Sequence, residues 1–189
     1  DNQNEWNFYS RQYIPTDSFY NVVADGAGAH NSIYRGKSLG SSATEEQLNR
    51  IKDGTFTNLF VGDYWEISGV KYIIADFDYM YNVGDTALTK HHVAIISEKS
   101  LYSYVMNTAD ITTGGYTGSK MYSEGLKTAL TSLKNAFGEG NIVTYRNYLV
   151  NAVASGNPTG CVWVNRQIDL LSETMVLGNR VFGSSGFET

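Results

Sequence analysis

Phe60-Val61-Gly62-Asp63-Tyr64-Trp65-Glu66-Ile67 and Val70-Lys71-Tyr72-Ile73-Ile74-Ala75-Asp76-Phe77 are two β-rich runs separated by Ser68-Gly69 alone. A two-residue link containing glycine suits the mirror-image turns whose twist matches that of paired strands, so the spacing predicts a β-hairpin centred on Ser68-Gly69. Downstream, Val93-Ala94-Ile95-Ile96 has strand length and almost no polar residue. It reads as a central strand beside the hairpin, covered on both faces. Upstream, Ser42 and Glu45 stand at capping-box spacing, Leu48 and Ile51 supply an apolar stripe, and Asp53-Gly54 closes a short helix.

Further along, residues 107–119 combine three glycines with threonine and serine and predict a loop. Leu126, Ala129, Leu130, Leu133, Ala136 and Phe137 recur at three- and four-residue spacing, which predicts a helix from near Ser123 to Gly138. Thr144 reads as the cap of another helix over Tyr145 to Ala154, closed by Gly156 and Pro158, and Cys161-Val162-Trp163-Val164 as a strand. Residues 168–177 fit either helix or strand. Helices that interrupt antiparallel strands give an α+β class: one compact domain over 33–189 with an antiparallel sheet, a central hairpin and about three short helices. Residues 1–32 carry Trp6, Phe8, Tyr9 and Tyr13 without helical or strand periodicity. They read as an aromatic-rich arm that packs either on the domain behind it, as a simple cover, or on neighbouring subunits.

Composition narrows the function. The chain has 189 residues, a net charge of −5 and no basic block, which argues against a nucleic-acid partner because counterion release needs clustered Lys and Arg. No apolar run approaches the ~20 residues of a membrane span. Its one cysteine, Cys161, leaves no intramolecular disulfide and no multi-cysteine metal site. The chain does not start with Met, which reads as an upstream portion removed or left out.

Among candidate chemical groups, His91 and His92 are adjacent and precede a strand, so they point to opposite faces and read as strand-entry residues, not joint metal ligands. Asp76 and Asp78, two apart, would share one side of a strand and read first as a solvated strand end with a turn; with Asp85 as a third carboxylate they would alternatively suit a cation or the acid and base of a glycosidase. Cys161 lies in an apolar run and reads as core. Gly114-Gly115 and Gly26-Ala27-Gly28 read as turns, not phosphate loops. Fourteen Tyr and three Trp among many Asn, Ser, Thr and Gly are the side chains of saccharide- or protein-binding surfaces. Tyr116, Tyr122 and Trp65 are the expected ligand-binding residues. No catalytic residue, metal or cofactor is assigned.

One resemblance adds a biological setting. Ile33-Tyr34-Arg35-Gly36-Lys37-Ser38-Leu39-Gly40, the hairpin strands, Thr89-Lys90-His91-His92, Met106-Asn107-Thr108, Ile111-Thr112-Thr113-Gly114-Gly115-Tyr116 and Tyr148-Leu149-Val150-Asn151-Ala152-Val153 resemble a virion-associated domain. That domain occurs in phages and prophages of Gram-positive gut bacteria. The resemblance implies a structural or adhesive particle protein located in the virion, at a tail tip, fibre or head surface. Its implied partners are other virion proteins, copies of itself and a host-surface glycan. Longer members continue past the equivalent of Met175-Val176-Leu177, so the resemblance reads this chain as truncated at its C-terminus. The hairpin and loop-rich body also look like C-type-lectin-related folds, but Trp163-Val164-Asn165 lacks the following Asp and Asn157-Pro158 the preceding Glu of the calcium-lectin signatures. The alternatives are a cell-wall polysaccharide hydrolase using the Asp pair, and a purely structural decoration protein.

Overall fold

The computed structural model describes residues 23–172 and 175–176. The class is α+β. The described residues fall into two compact units, one drawn from Asp1–Tyr79 and Lys90–Lys99, the other from Met80–Thr89 and Ser100–Thr189.

In the first unit the elements are α1 (Ala27–Asn31), β1 (Ser38–Gly40), α2 (Glu45–Lys52), β2 (Tyr64–Ile67), β3 (Val70–Phe77) and β4 (Val93–Ser97). They build a four-stranded sheet in the order β1-β2-β3-β4, with β1 parallel to β2 and the remaining pairs antiparallel. The hairpin sits where its sequence places it: Ile67 faces Val70, and Ser68 and Gly69 both take positive φ, 52° and 77°, as a type I′ turn requires. β4 does pair with β3, but it lies at the sheet's edge instead of its centre, and Ile96 is exposed. An apolar run of strand length does not by itself say how many neighbours a strand has. Helix α2 starts two residues later than its sequence suggests. Thr44 and Gln47 form the capping box, and the Gln47 Oε1 also accepts from Trp65 Nε1 at 2.9 Å. The cap thus ties the helix to the buried face of β2.

That face supplies the core. Phe56, Leu59, Phe60, Trp65, Ile74 and Phe77 are almost completely buried. His30 joins them from α1, its ring 4.8 Å from Phe60 and its Nδ1 2.6 Å from the Leu59 carbonyl oxygen, which it donates to. Asp63 is also fully buried, and both its oxygens are in use. Oδ1 accepts from Arg35 Nε (3.0 Å) and the Lys37 backbone N–H (2.9 Å); Oδ2 accepts from Arg35 Nη2 (2.6 Å) and the Phe60 N–H (2.8 Å). A buried carboxylate needs such a complement of donors to remain charged.

The second unit holds a π-helical turn (Met121–Gly125), α3 (Leu126–Phe137), a short 3₁₀ turn (Glu139–Asn141), β5 (Tyr145–Ala154) and β6 (Asn157–Arg166). Residues 107–119 form the expected loop, and α3 ends at Gly138 as its sequence predicts. The helix expected over Tyr145 to Ala154 is instead strand β5, paired antiparallel with β6. Gly156, expected with Pro158 to close that helix, is instead the second residue of another Ser-Gly turn, Ser155-Gly156, with φ of 52° and 78°. Pro158 lies opposite Val153, beside an irregularity in the register, where an absent N–H is tolerated. Residues 168–172 are neither helix nor strand. Among the described residues no helix is long and apolar enough to cross a membrane.

Candidate functional site

The carboxylates that the sequence offers for chemistry are engaged with neighbouring side chains and backbone. Asp76 accepts from Asn31 Nδ2 at 3.1 Å, and burial raises its pKa above the ordinary carboxylate value against the pull of that bond. Asp78 lies just beyond β3 at φ 60°, so it leaves the strand geometry that would align it with Asp76. Its Oδ2 is 2.7 Å from His91 Nδ1, and its Oδ1 accepts the His92 N–H at 2.9 Å. The Asp78 N–H in turn donates to the His92 carbonyl at 2.9 Å. The His91-His92 pair is therefore strapped to the end of β3, as strand-entry residues would be, with the His91 ring lying against Gly54. Asp85, in the second unit, pairs with Arg146 at 2.6 and 2.8 Å, and that bond lowers its pKa. Among the described residues no group of three or more His, Cys, Asp or Glu is placed to hold a metal ion. Cys161 is half-buried on β6, not in a core.

Tyr116 and Tyr122 come together. Their rings meet edge to face with centroids 5.5 Å apart, and the Arg166 guanidinium lies over Tyr122 at 4.0 Å. Asp169 is the hub beneath them. It accepts from Arg166 Nε (2.8 Å), Asn147 Nδ2 (2.9 Å), Tyr145 Oη (3.0 Å) and, at greater length, Tyr116 Oη (3.4 Å). The alternation of β5 and β6 explains the gathering, because Tyr145, Asn147 and Arg166 project from one face of the ribbon. Burial, reinforced by the Asp169 charge, pushes the Tyr116 phenol up to about 12 and the Tyr145 phenol higher still. Arg166 Nη2 is buried there without a hydrogen-bond partner. The cluster clasps residues 166–170 to β5 and occupies the hydroxyl of Tyr116 and, through Arg166, one face of the Tyr122 ring.

The opposite face of the ribbon carries Arg146 beside Asn165, Tyr148 beside Trp163 and Val150 beside Cys161. Tyr148 and Trp163 are a cross-strand pair with ring centroids 5.0 Å apart, and Tyr148 is 52% exposed. Nearby in sequence to the Tyr116 loop, Val105, Met106 and Ile111 are also left at the surface. Trp65, by contrast, is 1% exposed with its indole N–H bonded to Gln47, so it is a core residue with no face to offer a ligand. Trp6, Phe8, Tyr9 and Tyr13 lie outside the described residues.

Sequence reading missed Tyr145, Tyr148, Arg166 and Asp169. Reading Tyr145–Ala154 as a strand would have exposed the alternation that puts Tyr145 and Tyr148 on opposite faces. Asp169 has no such local signal, since its partners Tyr116 and Tyr145 are 53 and 24 residues away. No family model, curated protein or solved structure matches the chain.

Proposed function

We propose that the chain is a contact protein of a phage particle, a tail-tip, fibre or head-surface component. It docks on other virion proteins and copies of itself and recognises a host-surface glycan. The observation that carries the recognition part is the Tyr148–Trp163 pair: two large aromatic rings on one face of a two-stranded ribbon, with Tyr148 half-open to solvent. Paired, partly open rings of this kind are the side chains that saccharide- and protein-binding surfaces use. The internal use of Asp76, Asp78 and Asp85 supports the same reading over hydrolysis by an Asp pair. The particle setting rests on the resemblance of the sequence motifs.

The test combines immunogold labelling of intact particles with sedimentation of the purified chain on host cell walls. Labelled particles and wall binding that weakens in Tyr148→Ala are the expected results. Unlabelled particles, or a chain that stays in the supernatant at every wall concentration, would refute the reading.

A further inference from the structure

Tyr34 is the most exposed large hydrophobic side chain among the described residues, at 77%. Its backbone pairs with Val61 in a parallel bridge, and the next N–H, that of Arg35, donates to the Val61 carbonyl at 2.9 Å. The ring then lies across Gly62. A Cβ built on Gly62 would overlap Tyr34 Cε2 and stand 2.7 Å from both Cδ2 and Cζ. Cδ2 and Cζ lie only slightly farther away than Cε2 itself, which puts Gly62 under the face of the ring, since an approach in the ring plane would leave both neighbours much more distant. Gly36 supports the hydroxyl end, its Cβ position 3.5 Å from Cε1 and Oη. Gly62 is itself held, since its N–H donates to the Ile74 carbonyl at 2.8 Å. A side chain at position 62 would occupy the place of the ring, so glycine there lets an aromatic lie flat with one face covered and the other open.

The surroundings are polar. Tyr64, Glu66 and Lys71 share the sheet face opposite buried Trp65, Tyr72 and Ile74, as the register Tyr64–Ile73 and Glu66–Lys71 requires. Lys71 Nζ lies 4.2 Å from the Tyr64 ring centroid and 2.9 Å from Glu98 Oε1. The Lys71 charge is also within electrostatic reach of the Tyr34 phenol. A protein partner that docks through apolar area would want contiguous aliphatic side chains around the ring. Here Lys71, within reach of the Tyr34 phenol, brings with it an acceptor, Glu98, and a second phenol, Tyr64, the mixture that suits a ligand with one apolar C–H face and a rim of hydroxyls.

We infer that Tyr34, flanked by Tyr64, Lys71 and Glu98, is a stacking subsite for a pyranose ring of a glycan. The sugar's C–H face lies on the open face of Tyr34, and its hydroxyls accept from Lys71 and donate to Glu98. The inference deepens the glycan recognition proposed above by naming a place for it in the first unit, separate from the Tyr148–Trp163 face.

The experiment is an NMR titration of the full chain carrying ring-¹³C tyrosine with three soluble probes: chitotetraose, cellotetraose and maltotetraose. At least one should shift the Tyr34 signal saturably, with affinity on the order of 1 mM, as expected of one stacking contact and a few exposed hydrogen bonds. Tyr34→Ala, followed through the Tyr64 signal, should weaken binding roughly three- to tenfold, and Tyr34→Phe should stay within about twofold, since the ring carries the contact. A Tyr34 signal unmoved by all three probes overturns the subsite. So does binding that survives Tyr34→Ala unchanged, or a shift that follows protein concentration instead of saccharide, which would mean a second copy of the chain is the occupant. Cell-wall sedimentation separates the two readings: walls bound without any Tyr34 response leave the proposed function standing and remove this site alone.

Discussion

Replacing Asp63 with Asn is the sharpest test of what holds the first unit together. Each Asp63 oxygen accepts two bonds, one from the Arg35 guanidinium and one from a backbone N–H, and the side chains are 0% and 7% exposed. Whichever oxygen becomes the amide NH₂, two donors lose their acceptor and face hydrogens instead, while the Arg35 charge stays buried without its counter-ion. Breaking a buried pair by removing one partner costs about 3–5 kcal/mol. The Ile74 N–H, which donates to the Asp63 carbonyl at 2.8 Å, is a local probe of opening. At tenfold per 1.4 kcal/mol, its hydrogen-exchange protection should fall roughly a hundred- to several-thousand-fold. The double variant Arg35→Met with Asp63→Leu should recover part of this, because it removes both charges. It should not recover all, since the Lys37 and Phe60 N–H groups remain without an acceptor, at about 1–3 kcal/mol each. A loss of Ile74 protection below tenfold in Asp63→Asn would show that the ion pair is not what fixes this corner of the fold.

Four further outcomes are expected. Burial raises the folded Asp76 pKa, so the contribution of this group to stability is present below the unfolded carboxylate pKa and is lost as pH rises through the folded one. Asp76→Asn should therefore gain stability at neutral pH, by less than about 1 kcal/mol because the group is partly solvated, and gain nothing below about pH 4; denaturation midpoints at the two pH values read this directly. Tyr116 is raised to about 12, which makes its share of stability complete below the ordinary phenol pKa and lost through about pH 12; ultraviolet titration should find the Tyr116 and Tyr145 phenols ionising late, and Tyr116→Phe should remove one of the two late steps and leave the other. Gly62→Ala should destabilise by more than about 1 kcal/mol, since φ is 87°, where a residue with a Cβ is strained whatever space it finds; an unchanged melting temperature would contradict that backbone geometry. Ser155→Asn should stabilise the β5–β6 ribbon by a few tenths of a kcal/mol, because Asn takes positive φ more readily than Ser in a type I′ turn, and slower exchange of the Ala154 and Asn157 amides would register it.

The two Ser-Gly turns show what the sequence can and cannot tell. At Ser68-Gly69 the flanking residues are Tyr, Trp, Ile and Val, β-prone on both sides, so turn chemistry and strand propensity agree and the hairpin is legible with its register. At Ser155-Gly156 the turn chemistry is identical, but Leu149 and Val153 are also four apart, and a short apolar pattern fits helix or strand equally. The ambiguity is settled by tertiary pairing with Cys161–Val164, which lies beyond the turn and supplies the cross-strand partners. The cost of that misreading fell on the site, because only the strand puts Tyr148 against Trp163 and Tyr145 towards Asp169. Tyr34 fails to stand out in sequence for a related reason: Gly62, which lies under its ring, and Gly36, at its hydroxyl end, are 28 and 2 positions away from it, and no local pattern links the three. An aromatic becomes a binding surface through what lies beneath it, and Trp65 and Tyr34 make the contrast within one unit. Trp65 points to the core face of β2 and is covered by the α2 cap; Tyr34 rests on glycine and leaves its other face to solvent. Ranking aromatic residues for recognition by ring size selects the first, whereas ranking them by the support under one face selects the second, and the two orderings part company in the Tyr34→Ala titration.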